Sequence, residues 1–68
     1  SERRDSAQAR LQADRAELAQ AELDHARAAR LVGSEVLSRS ELDLATTRLE
    51  AARARLREDR AALDELRG

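Results

Sequence analysis

Val32-Gly33-Ser34-Glu35-Val36-Leu37-Ser38-Arg39-Ser40-Glu41 interrupts a chain otherwise built from helix formers, and its reading decides the fold. Gly33 is the sole internal glycine. It fits the position just past a helix end, where the left-handed conformation is needed and glycine adopts it freely. Ser38 and Glu41 have the spacing of a capping box. The Ser38 hydroxyl would accept the Glu41 amide, and the Glu41 carboxylate would reach back to the Ser38 amide. These signals predict one helix over about 4–32, a tip loop over about 33–38 and a second helix over about 39–67. At 1.5 Å rise per residue each arm is roughly 43 Å long.

A loop this short forces the two arms to run antiparallel. Their apolar stripes then decide how they meet. The first arm carries Ala7, Leu11, Asp14, Leu18, Ala21, His25, Ala28 and Val32. The second carries Leu42, Ala45, Leu49, Ala52, Leu56, Asp59, Leu63 and Leu66. Both alternate steps of three and four, which is the seam of a coiled coil. Pairing downward from the turn sets Val32 against Leu42, Ala28 against Ala45 and His25 against Leu49. It continues with Ala21 against Ala52, Leu18 against Leu56, Asp14 against Asp59, Leu11 against Leu63 and Ala7 against Leu66. One register satisfies every layer. The expected fold is all-α, an antiparallel two-helix coiled-coil hairpin.

The seam also contains a near-repeat. Arg10-Leu11-x-x-Asp14-Arg15-Ala16-x-Leu18 recurs as Arg55-Leu56-x-x-Asp59-Arg60-Ala61-x-Leu63. In this register the two copies dock on each other about a local two-fold axis through the aspartate layer. Arg10 and Arg55 lie four residues before the aspartates. They are expected to neutralise Asp14 and Asp59 as a cluster that fixes register, at some cost in stability.

The whole chain has 68 residues and its apolar side chains are only Ala, Leu and Val. It has no aromatic residue, Cys, Met or Pro. Disulfides and thiolate metal sites are therefore excluded, and a β-sheet domain is disfavoured. A fold of this size buries only about 60% of its unfolded surface, so a thin core is expected. Charged residues form 40% of the chain and nearly cancel, at net −1. That argues against nucleic acid as a partner, which calls for a basic face. No apolar run is long enough to span a bilayer. The N-terminal residues have neither an initiator Met nor an apolar signal region, and the chain reads as a fragment of something larger.

Catalysis has little to work with. His25 is the only histidine, and a general base needs a partner and a pocket. On the seam opposite Leu49 it reads as a structural residue. No cofactor is expected and no enzyme activity. The tip is different, because Val36 and Leu37 are apolar where little can cover them. Contact with a partner and local packing of Leu37 onto the second helix are both open there. Leu23 and Leu44 lie off the seam, where they could touch a neighbouring hairpin.

Arg27-Ala28-Ala29-Arg30-Leu31-Val32-Gly33-Ser34-Glu35-Val36-Leu37-Ser38 spaces Arg, Leu and Ser as Arg-x3-Leu-x6-Ser. It continues into Arg39-Ser40-Glu41-Leu42-Asp43-Leu44-Ala45. This resembles the tip of the α-helical hairpin in periplasmic adaptors, the membrane fusion proteins of the HlyD type. The motif covers about a quarter of the chain, and the heptad arms agree with it. The resemblance implies a docking and assembly element of a tripartite efflux or type I secretion system. The adaptor would link an inner-membrane transporter to a TolC-type outer-membrane channel. Arg27, Leu31 and Ser38, with Val36 and Leu37, would contact the channel, and the full-length protein would self-associate as a hexamer. Residues 1–68 would then be the hairpin alone, without the family's lipoyl, β-barrel and membrane-proximal domains. The periplasm is the implied location. Arm length leaves the transporter class open among ABC, RND and MFS. The competing reading is a generic coiled-coil spacer, which gives no reason for Arg27, Leu31, Val36 and Leu37 together.

Overall fold

A computed structural model describes residues 1–67. Two helices fill it: α1, Glu2–Gly33, and α2, Arg39–Arg67. They lie side by side as an antiparallel hairpin of 50 × 14 × 11 Å. Ser1 caps α1, its hydroxyl accepting from the Arg4 amide at 3.2 Å, so the helix begins two residues before the expected Arg4.

The turn is built differently from the sequence expectation. Gly33 is the last residue of α1, and its φ is not positive. The left-handed residue is Glu35, at φ 65°. The Glu35 amide donates to the Val32 carbonyl at 3.0 Å and the Val36 amide to the Leu31 carbonyl at 2.8 Å. These two bonds form a Schellman closure with Glu35 as its left-handed residue. Glycine permits the left-handed region without requiring it. The turn sits where the Leu31 and Val32 carbonyls are satisfied, and that is two residues beyond Gly33. The Ser34 hydroxyl covers more of the helix end, donating to the carbonyls of Arg30 and Leu31 at 3.3 Å each.

α2 starts under Ser38, whose hydroxyl accepts from the Glu41 amide at 3.3 Å. The return half of the expected capping box is made to a different atom. The same hydroxyl lies 3.3 Å from Glu41 Oε1, to which it can donate, and 3.1 Å from the Ser40 hydroxyl.

Packing follows the two stripes. Near the open end Leu11 clusters with Leu56 and Leu63, with Ala7 and Leu18 against them. In the middle Ala21 clusters with Leu49 and Ala52, again with Leu18 alongside. Every seam position is buried or half-buried, including His25, Val32 and Leu42. Leu23 and Leu44 stand exposed, at 61% and 50%. Half of the arms' seam residues thus carry the fold by side-chain contact with the opposite helix, and most of the remaining surface is charged.

Candidate docking tip and acidic seam layer

α1 delivers Arg27 and Leu31 to the tip. They are four residues apart and so share a helix face. The Arg27 guanidinium donates to Asp24 Oδ1 at 3.4 Å, and the Gln20 amide donates to the same oxygen at 2.9 Å. The Arg27 side chain remains 57% exposed in this pair. Leu31 is half-buried, and its carbonyl accepts the amides of both Val36 and Leu37. The Leu31 backbone therefore organises the turn while its side chain stays partly open.

The two apolar tip residues part company. Leu37 is half-buried and lines a groove of about 690 Å3 between the helices, beside Ala28, Glu41 and Leu44. Val36 is 71% exposed. Ser38 follows as the cap of α2, its hydroxyl engaged as described. Arg27, Leu31, Val36, Leu37 and Ser38 are thus gathered at the closed end of the hairpin.

The aspartate layer departs from the expected Arg–Asp cluster. Asp59 is 7% exposed, and its Oδ2 has no hydrogen-bond partner among the described residues. Asp14 is half-buried. The neighbouring Asp14 carboxyl, through a proton that the pair can share, together with burial and the Asp14 charge, pushes the Asp59 carboxyl above its ordinary value of 3.8. Glu58 adds to the rise and Arg10 opposes it. Arg10 therefore acts only as a nearby charge, and no ion pair joins any Arg to Asp14 or Asp59 among the described residues. Arg55 instead reaches across to Glu17 Oε1 at 3.1 Å. The reason is geometric. Glu17 and Arg55 immediately precede Leu18 and Leu56, which face each other, so both flank the seam on the same side. A fully formed ion pair with exposed Glu17 avoids the desolvation that a buried Asp59 partner would demand. The register itself carried this signal; four-residue spacing along one helix hid it.

His25 is half-buried in the seam. Among the described residues no group of three or more His, Asp or Glu side chains is placed to hold a metal ion. No helix among them is long and apolar enough to cross a membrane.

No curated protein and no solved structure matches this chain. One family model does: the RND MFP, alpha-helical hairpin domain matches residues 3–67. That span takes in both helices, the Schellman turn and the tip residues together. The family is a non-catalytic domain of periplasmic adaptors, which assemble with an outer-membrane channel and an inner-membrane transporter. The family is described by the RND type, one of the classes that arm length left open. Two antiparallel arms in one heptad register, closed by a tip with the adaptor spacing and matched along almost their full length, place this chain in the alpha-helical hairpin domain family of RND membrane fusion proteins.

Proposed function

We propose that this hairpin docks its adaptor onto a TolC-type outer-membrane channel in the periplasm. Arg27, Leu31, Val36, Leu37 and Ser38 form the contact. The rest of the adaptor holds the inner-membrane transporter, and the adaptors assemble as a hexamer. The supporting observation is Val36, at 71% the most exposed of the three exposed large apolar side chains and the one that stands at the closed end with the other tip residues. A spacer turn gains nothing from an exposed valine beside Leu31 and Arg27, whereas an apolar groove on a partner does.

The chemistry of the patch suits a partner that offers helix ends. Arg27 has donors for exposed carbonyls, and Leu31 and Val36 supply apolar contact. Arg27 is held only by an exposed pair with Asp24, of a kind worth about 0.2–1 kcal/mol, so releasing it for a partner costs little. One hairpin presents a small interface. Its affinity is weak alone and builds through simultaneous engagement in a ring.

The test is capture of a purified TolC-type channel by the full-length adaptor carrying Arg27→Asp and Leu31→Ser together. Lost capture and lost export with unchanged helicity are expected. Retained capture and export would remove the docking reading and favour the spacer.

A further inference from the structure

Asp59 is more than nine-tenths buried, with one carboxylate oxygen unpartnered and the other side of the layer occupied by Asp14. Leucines close the layer on both sides, Leu18 and Leu56 toward the tip and Leu11 and Leu63 toward the open end. We propose that the Asp14–Asp59 layer is a proton-operated latch, closed when the two carboxyls share a proton and opened when both ionise. Two facing carboxylates between leucine layers repel strongly when both are charged, and one proton between them turns that repulsion into a hydrogen bond.

The surrounding charges do not remove this effect. Arg10 on α1 attracts, Glu58 on α2 repels, and Arg55 is committed to Glu17. Arg15 and Arg60 adjoin the two aspartates in sequence and pair with neither. The proton is the neutralising partner that the arginines fail to supply.

The direction follows from the raised folded-state value. The folded hairpin binds a proton at Asp59 more tightly than the unfolded chain does, so this contribution stabilises the hairpin at low pH. It is complete below the ordinary value of 3.8 and is lost as pH rises through the raised folded value. Most proteins lose stability on acidification through their carboxylates; this layer works the other way. Release should be local, because beyond the layer toward the open end only Leu11 and Leu63 are buried apolar residues.

The test compares the 68-residue chain with its Asp59→Asn variant by thermal melts at about pH 7.5 and about pH 4.5. The Asn amide donates to Asp14 at every pH and so imitates the closed latch. Wild type is expected to melt below the variant at the higher pH, and the gap is expected to close at the lower. His25 is present in both proteins and drops out of the comparison. A second readout uses spin labels on wild type, since the chain has no native cysteine. Gln8→Cys with Asp64→Cys reports the open end, and Ala29→Cys with Asp43→Cys reports the tip half. Distances at the open end are expected to broaden at the higher pH while those near the tip stay narrow. Equal pH responses of wild type and Asp59→Asn, whether both melt alike or neither folds, would overturn the latch. So would broadening that is the same at both ends.

Discussion

The amide of Val36 donates to the carbonyl of Leu31 at 2.8 Å, and this bond places the left-handed residue of the turn at Glu35 and leaves Gly33 helical. A Cβ added at Gly33 would meet nothing within 4 Å. Glycine within a helix costs about 0.8–1 kcal/mol relative to alanine. Gly33→Ala is therefore expected to raise the melting temperature, with a gain of about 0.5–1 kcal/mol. A lower melting temperature would return the left-handed position to Gly33.

Glu35→Gly makes the complementary prediction. A non-glycine residue in the left-handed region costs roughly 1–2 kcal/mol, and glycine gives back about half of that as chain entropy. Glu35 also sets a negative charge at the negative end of the α1 dipole. The substitution is expected to stabilise by about 0.5–1 kcal/mol in denaturant titration. A loss would mean that Glu35 makes a contact that outweighs its backbone strain.

The seam was legible because helical periodicity is a property of the whole stripe. Sixteen positions in two stripes agree on one register, and the burial of Leu11, Leu49, Leu56 and Leu63 follows from it. The turn was less legible. The preference of glycine for left-handed backbone names a candidate, but the carbonyls that need closing decide the position. The partner of Arg55 was hidden for a related reason. Spacing along one helix suggested Asp59, while the neighbour across the seam, Glu17, had the cheaper geometry. Which residues line the tip could be read from the motif. That Leu37 turns into the groove while Val36 stays out is a consequence of the turn's three-dimensional path.

The core is thin. Its buried apolar residues are four leucines and three alanines, and a buried Leu contributes about 1.5–3 kcal/mol against the cost of ordering the chain. A highly helical but marginal hairpin, strengthened by association, is expected. Circular dichroism melts over a wide concentration range check this. A melt near about 90 °C at low micromolar concentration, the hyperstable range, would contradict it.

Replacing both Asp14 and Asp59 with Leu fills the acidic layer inside the Leu11, Leu56 and Leu63 cluster with apolar side chains. Buried carboxyls without an opposite charge are less stabilising than packed apolar residues of similar volume. The double variant is expected to melt several degrees higher than wild type and to lose its steep preference for one register. Lost helicity would show that the acidic layer is essential to the fold.

Ser38 separates capping from docking. Its hydroxyl accepts the Glu41 amide at 3.3 Å, so Ser38→Ala removes the cap of α2 at a cost of about 1 kcal/mol. A docking defect in that variant would carry no information by itself. Asn caps a helix as well as Ser does. Ser38→Asn is therefore expected to restore the melting temperature of the hairpin to within a few tenths of a kcal/mol of wild type. Asn is larger and carries an amide where the channel would meet a hydroxyl. In the full-length adaptor, Ser38→Asn is expected to weaken capture of the channel although the helix is properly started. Full capture by Ser38→Asn, alongside reduced capture by Ser38→Ala, would assign Ser38 to capping alone and leave docking to Arg27, Leu31, Val36 and Leu37.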